Sequence, residues 1–229
     1  MSIKNLKNYS NESIKEYYHA TGLYDSIIYK KNIANQNLTK KEVIENLLLK
    51  NKKLSSRVAG NNKKIILSNK NYKTKIMVFG DMPSQKDIDN NLLFSDDSGE
   101  LLTKMLSAIS IDLSEVYLTN IIPFYLTKEE GKNIKKYNSS LKKIVHEHIC
   151  TINPEIILLL GSFALQTLFG EEYSIVKNRG QWLTYTTPTK SINVIPSFHP
   201  NFLLKQPNQK KKSWEDLQEL QKKLNYAQS

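Results

Sequence analysis

The sequence predicts an α/β fold: a three-layer α/β/α sandwich with a four-stranded, largely parallel central sheet and a helical N-terminal extension. Three observations predict it. Strand-length apolar runs recur at residues 76–80, 116–121, 156–160 and 192–196, and near-continuous apolar strands belong to parallel sheets covered on both faces. The segments between them carry apolar residues at helical spacing rather than in alternation. Residues 1–75 differ from the rest in having no proline, much Lys and Asn, and two helix-start patterns.

Taken in chain order, Ser13 with Glu16 and Thr39 with Glu42 have the spacing of capping boxes. Val43, Ile44, Leu47 and Leu48 give the second of these helices one apolar stripe. Residues 60–75 read as a linker, with Ile65-Ile66-Leu67 as an edge strand. Beyond the first strand, Leu101, Leu102, Met105, Leu106 and Ile109 form a helical stripe, and Ile134, Tyr137, Leu141, Ile144, Val145 and Ile149 form another. Both are core faces. A shorter helix over 162–169 ends at Gly170, and Trp214, Leu217, Leu220 and Leu224 mark a last one. The chain divides into a basic, mostly helical extension (1–75) and a larger α/β domain (76–229).

Charge follows the same division. The 229 residues hold 33 Lys+Arg against 22 Asp+Glu, a formal charge of +11 with a pI near 9.4. Residues 1–75 hold 16 Lys+Arg and 5 Asp+Glu, while residues 76–229 hold 17 of each, so the whole excess is N-terminal. Arg occurs only at Arg57 and Arg179, which favours diffuse attraction to phosphates over bidentate reading of base edges. A codon bias toward Lys, Asn and Ile explains the same charge without a partner. A hydrophobic content of 39% is enough for a buried core. No apolar run approaches the roughly 18 residues that span a bilayer, and the first ten residues carry Lys and Asn where a signal peptide needs an apolar stretch. The expectation is a cytoplasmic protein with no membrane partner. The single Cys150 cannot form an internal disulfide or hold an iron-sulfur cluster unaided.

In open α/β sheets the ligand crevice lies beyond the carboxyl ends of the strands. The four runs lead into Gly80-Asp81-Met82-Pro83-Ser84, Thr119-Asn120, Gly161-Ser162 and Ser197-Phe198-His199-Pro200. A carboxylate, an amide and an imidazole thus meet on one rim, a combination that points to an enzyme, although each alone is an ordinary turn residue. Gly161-Ser162 lacks the G-x-S-x-G elbow of hydrolases, and no dinucleotide or Walker glycine motif follows a strand. His146 and His148 flank Glu147 on a helix at a spacing that turns them to different faces, so no metal site is expected there.

Further motifs stand in a definite order. Phe94 is followed by Gly99-Glu100-Leu101-Leu102, and Val116-Tyr117-Leu118-Thr119-Asn120 ends the second run. An apolar stretch leads from Pro154 to Gly161. Arg179-Gly180-Gln181-Trp182, then His199-Pro200-Asn201-Phe202-Leu203-Leu204-Lys205, then Lys211 through Leu217 complete the series. In this order and spacing, residues 76–224 resemble uracil-DNA glycosylases of the family 4 branch, whose corresponding motifs are G-E-A-P-G, P-F-V-G-x-x-G-x-L-L, V-Y-I-T-N, R-G-x-W, H-P-A-A-L-L-R and K-x-x-W-x-D-L. The resemblance implies a monomer that hydrolyses the N-glycosidic bond of uracil-containing DNA and leaves an abasic site. It implies that Phe94 stacks on the uracil face and that the Asn120 amide reads uracil N3–H and O4. It implies that His199 donates to O2 as negative charge grows, with backbone amides near Gly80 and Asp81 assisting. It further implies that Asp81 orients water or offsets positive charge on the sugar, that Asp87 excludes thymine's methyl at C5, that Leu203 wedges into the vacated stack, and that Lys205, Lys210, Lys211 and Lys212 hold phosphates.

This sequence departs from the branch in several ways. The branch holds an iron-sulfur cluster on four cysteines; here Phe124 takes the third position, Leu141 or Lys142 the fourth, and no Cys precedes Ile76. The cluster is expected to be absent, so no cofactor is expected. Asp81 replaces Glu, and Met82 and Ser84 replace Ala and Gly. Two other readings stay open: a non-catalytic DNA-binding protein on a decayed glycosylase core, and a glycosylase for another deaminated base such as hypoxanthine or xanthine.

Overall fold

A computed structural model describes residues 39–72 and 74–226 of the protein. The capping box expected at Ser13 and Glu16 lies outside them. Strands β1 (Ile76–Gly80), β2 (Val116–Asn120) and β3 (Ile156–Leu160) are buried at every residue, as strands covered on both faces must be. β4 (Leu183–Thr186) and β5 (Ser191–Ser197) complete the sheet in the order β2-β1-β3-β5-β4. All pairings are parallel except β4 with β5.

Among the described residues the sheet therefore has five strands, one more than the sequence predicts. β4 is the addition. Leu183 and Tyr185 alternate with exposed Thr184 and Thr186, so only half of this short edge strand is apolar, and a search for continuous apolar runs passes over it. Its turn is closed by the Thr187 N–H and hydroxyl, both donating to the Lys190 carbonyl at 2.9 and 2.8 Å.

Alternation along the strands feeds two cores. Met77, Phe79, Tyr117, Ile157 and Leu159 face one layer, and Ile76, Val78, Val116, Leu118 and Leu158 the other. The first layer holds α1 (Lys40–Ala59), α5 (Asn138–Ile152) and α6 (Ser162–Phe169). The second holds α3 (Asp97–Ser107) and α9 (Lys210–Tyr226). Short helices α2 (Gln85–Asn90), α4 (Lys128–Gly131), α7 (Ile175–Asn178) and α8 (Pro200–Lys205) lie in the connections. The helices thus lie on both faces of a largely parallel sheet, as the apolar stripes predict.

α1 begins as expected: Thr39 Oγ1 accepts from the Glu42 N–H, and the Glu42 carboxylate accepts from the Thr39 N–H at 2.6 Å. Of its expected stripe, Val43, Ile44 and Leu47 are buried and Leu48 is partly buried, Leu54 extends the buried face, and the helix packs against α5. Lys50 pairs with Glu147, and the Tyr137 hydroxyl donates to the Arg57 carbonyl at 2.8 Å. The apolar stripe supplies most of the attachment, because partly exposed ion pairs add little. Residues 65–69 then run along the outer edge of β2. They form one antiparallel bridge, Ser68 with Thr119, while Thr119 Oγ1 donates to the Leu67 carbonyl at 2.6 Å. This covers an edge that would otherwise expose unpaired backbone groups.

Candidate active site

The carboxyl ends of β1, β2, β3 and β5 bring Gly80, Asp81, Asn120, Gly161 and the segment leading to His199 onto one rim. Gly80 makes the convergence possible. A Cβ there would lie 2.7 Å from Phe94 Cζ and closer still to Asn120 Oδ1, so any other residue would push the ring and the amide apart. Phe94 is buried and stacks on His199, with ring centroids 5.8 Å apart and planes inclined by 23°.

Asn120 is only 3% exposed, and neither its Oδ1 nor its Nδ2 has a hydrogen-bond partner among the described residues. His199 Nε2 is also buried without one. Leaving a buried polar group unpaired costs about 1–3 kcal/mol, so three such atoms at one rim mark a place where a polar ligand edge belongs. His199 is the N-cap of α8, and its Nδ1 accepts from the Asn201 N–H at 3.1 Å. That bond makes Nδ1 the bare nitrogen and puts the ring proton on Nε2. Burial lowers the His199 pKa to about 4, against a weaker upward pull from the Asp96 and Asp87 charges. At neutral pH the ring is therefore an uncharged N–H donor.

Asp81 lies against the start of α6, where its Oδ1 accepts from the Ala164 N–H at 3.0 Å. Gly161, with φ +106, leaves room for it: a Cβ there would lie 2.8 Å from Asp81 Oδ2. Burial raises the Asp81 pKa to about 6, opposed by the Ala164 hydrogen bond. The loops carrying Asp81 and Asn120 are tied together by the Ile121 and Ile122 N–H groups, which donate to the Gly80 and Asp81 carbonyls at 2.9 and 3.0 Å.

Gly80, Asp81, Phe94, Asn120 and His199 thus share one site, with Asp87 beside it. Asp87 is buried, and its carboxylate accepts from loop donors on both sides. Lys205, Lys210, Lys211 and Lys212 are exposed. Leu203 requires a correction. It is 1% exposed and sits in the core, where it cannot act as a protruding wedge. The segment after His199 folds as a helix with Pro200 in its first turn, and the helical pitch turns Leu203 inward while Phe202 and Leu204 stay 41% and 39% exposed.

A network of Ser197, Arg179 and Asp216, residues that the motifs contain without marking them as functional, supports the segment leading to His199. Ser197 Oγ donates to Asp216 Oδ2 at 2.6 Å, Arg179 Nε donates to the same oxygen at 3.1 Å, and an Arg179 terminal nitrogen pairs with Asp216 Oδ1 at 2.6 Å. The Arg179 guanidinium also lies 5.8 Å from the Phe198 ring centroid. Gly180 accommodates this with φ +71, since a Cβ there would collide with Asp216. A basic residue and an acidic one, 37 positions apart and each within a motif of the family resemblance, are the signal the sequence carries.

An iron-sulfur cluster does not fit this chain. The chain has one cysteine, Cys150, and no group of metal-binding side chains occurs among the described residues. Phe124, at the spacing of the third ligand, and Leu141, one of two candidates for the fourth, are fully buried in one apolar cluster with Ile44, Leu47, Leu54 and Leu126, while Lys142, the other candidate, is exposed. His146 and His148 are engaged separately, with the hydroxyls of Tyr185 and Tyr117, each at 2.7 Å. No helix among the described residues is long and apolar enough to cross a membrane.

Fold and site together define an α/β sandwich protein with a buried amide and a buried imidazole beside an aromatic ring at the carboxyl ends of its strands. The chain belongs to the uracil-DNA glycosylase superfamily, whose family model, described as "Uracil DNA glycosylase superfamily", matches residues 68–218. It is family-4-like and lacks the cluster cysteines. It is 27% identical over 146 residues to a type-4 uracil-DNA glycosylase of Thermotoga maritima, covering 63% of this chain and 74% of that protein. A type-4 uracil-DNA glycosylase of Sulfurisphaera tokodaii is 29% identical over 157 residues, covering 65% and 69%. One from Archaeoglobus fulgidus is 26% identical over 141 residues, covering 60% and 70%.

Proposed function

We propose that this protein takes a uracil extruded from DNA into the pocket and hydrolyses its N-glycosidic bond, as a monomer in the cytoplasm, starting base-excision repair. The observation that carries the reading is Asn120, whose buried amide presents one unpaired acceptor and one unpaired donor. Uracil offers the complement, an N3–H donor beside the O4 acceptor, whereas cytosine, an acceptor beside a donor, matches only the amide turned end for end. Phe94 supplies the stacking face.

Bond cleavage leaves negative charge on the departing base and positive charge on the sugar. His199, neutral and carrying its proton on Nε2, donates to uracil O2 as that charge develops, a fixed dipole in a dry site. Asp81, ionised above about pH 6, orients the attacking water or offsets the sugar's charge. Lys205, Lys210, Lys211, Lys212 and the basic residues of 1–75 attract the phosphate backbone. Exposed Phe202 and Leu204, rather than Leu203, fill the vacated stack.

Incubating the protein with an oligonucleotide carrying one uracil and scoring alkali-labile sites tests the reading. Cleavage at the uracil position is the expected result, and no cleavage on either single or double strands overturns it.

A second reading, a DNA-binding protein that does not cleave, is favoured by two observations. The cluster cysteines are gone, and the shortened Asp81 is engaged as an acceptor for the α6 N-terminus. Selective binding of uracil-containing DNA with no abasic product establishes that reading. Hypoxanthine presents the same donor-acceptor pair as uracil, at N1–H and O6, so an oligonucleotide panel with hypoxanthine and xanthine defines the range of bases.

A further inference from the structure

Phe94 has φ +53, in the left-handed region that bulky residues rarely adopt and keep only where the surroundings hold them. Two neighbours hold it here. Gly99 opens the space: a Cβ there would overlap the Phe94 carbonyl and lie 2.9 Å from Phe94 Cβ. Asp87, 4% exposed, anchors the next residue. Its Oδ1 accepts from the Ser95 N–H at 2.6 Å and from Ser95 Oγ at 3.0 Å. Its Oδ2 accepts from the Ser84 N–H at 2.9 Å, and Ser84 Oγ in turn accepts from the Asp87 N–H at 3.2 Å. Ser84 closes the loop that leaves Gly80 and Asp81, and Ser95 directly follows Phe94. One buried carboxylate therefore joins the two arms of the pocket.

We propose that Asp87 is a positioning residue for Phe94, holding the ring over Gly80 as a preformed stacking platform. The proposal rests on the uracil-binding reading and replaces the steric role at uracil C5 that the resemblance implies. Three donors bind the two carboxylate oxygens, which satisfies the buried charge and directs it into the loop. A platform held before binding spares the base the cost of ordering it, so the benefit appears in affinity.

The test uses the full chain with Asp87→Ala, Asp87→Asn, Phe94→Ala and the Asp87→Ala/Phe94→Ala pair. KM for a single-uracil oligonucleotide, or Kd if there is no turnover, is measured beside a thymine control. The contact between the Phe94 and His199 rings is followed by nuclear Overhauser effects. Asp87→Ala should weaken uracil binding about tenfold, the scale of one lost stacking contact, and lose the ring contact. Asp87→Asn, which keeps one acceptor oxygen, should recover part of both. The double variant should bind no worse than Phe94→Ala alone, because Asp87 acts through that ring.

Thymine release by Asp87→Ala, or losses that multiply in the double variant, would overturn the proposal. If Asp87→Ala does not fold, Asp87→Asn decides by the same ring contact and the same cycle. If the wild-type protein does not distinguish uracil from thymine, the functional reading has failed. The ring contact then decides the clamp alone: its loss on substitution of Asp87 supports the clamp, and its persistence overturns it.

Discussion

The pocket and the region around Phe124 both correspond to places where the type-4 branch has chemistry, and they differ in how this chain fills them. In the pocket, Asn120 and His199 keep three buried polar atoms without partners, beside a strained Phe94. Around Phe124 the side chains are apolar and packed: Phe124, Leu141, Leu126 and the Leu47 stripe of α1 form ordinary core. Unpaired buried polar groups are costly, while apolar packing is favourable by itself. A site retained for a ligand keeps the cost, and a site retained for structure can relax into packing. Breaking each region should therefore produce different failures.

The largest effect is expected at the packed region. Phe124→Ala should lower stability by about 3–5 kcal/mol, through lost burial and the cavity left behind. Urea denaturation measures it, and the variant should still act on uracil at temperatures where it is folded. Added iron or a chelator should change neither measurement. Asn120→Ala should do the reverse. Single-turnover excision should fall by roughly 10²–10³, the scale of removing a transition-state hydrogen-bonding group, while the denaturation midpoint holds or rises, because truncation removes a buried amide with no partner among the described residues. Equal losses of stability in the two variants would break the comparison.

Smaller effects sharpen it. With the Asp81 pKa raised from 3.8 to about 6, excision that needs the carboxylate should rise with pH through about 6, and Asp81→Asn should remove that limb. The same shift acts on stability with a definite sign. Between about pH 4 and 6 the folded state binds more protons at Asp81 than the unfolded chain, so this contribution falls as pH rises across that window and is level above it. His199, with its pKa lowered to about 4, adds no limb near neutrality. Thr39→Ala should cost about 1 kcal/mol through loss of the α1 cap, read by denaturation.

The smallest effect concerns the proposed role of the N-terminal lysines. Residues 1–38 hold 5 Lys+Arg and 3 Asp+Glu, a balance of +2, whereas residues 39–75 hold 11 and 2, a balance of +9. With five Lys available to contact phosphates, removing 1–38 should change the salt slope of DNA binding by no more than about 4–5. A larger change would assign those residues a specific contact.

Much of the fold was legible because it follows local pattern. Continuous apolar runs located β1, β2, β3 and β5, and the Thr39–Glu42 spacing located the start of α1 to the residue. β4 was not legible, since an edge strand with one covered face mixes Thr with Leu and Tyr. Ile65-Ile66-Leu67 shows a similar limit: it lies along the sheet edge with a single bridge at Ser68 instead of a full strand. In the site, residue types at strand ends were enough to collect Asp81, Asn120 and His199. Leu203 faces the core because the segment after His199 is helical, and one helical turn decides which of Phe202, Leu203 and Leu204 is buried.

Composition and motif order determined the layered architecture, the family and the absence of cluster thiolates, since these depend on which residues are present and how they are spaced. Tertiary structure alone decided which polar atoms have partners. Asp87, Arg179 and Asp216 are recognisable as charged residues in the sequence. Only packing brings Ser84 and Ser95 to one carboxylate and Ser197 and Arg179 to another, and leaves the Asn120 amide without a partner among the described residues. Hydrogen bonding depends on distances of a few ångströms between residues far apart in the chain, and no local pattern encodes those distances.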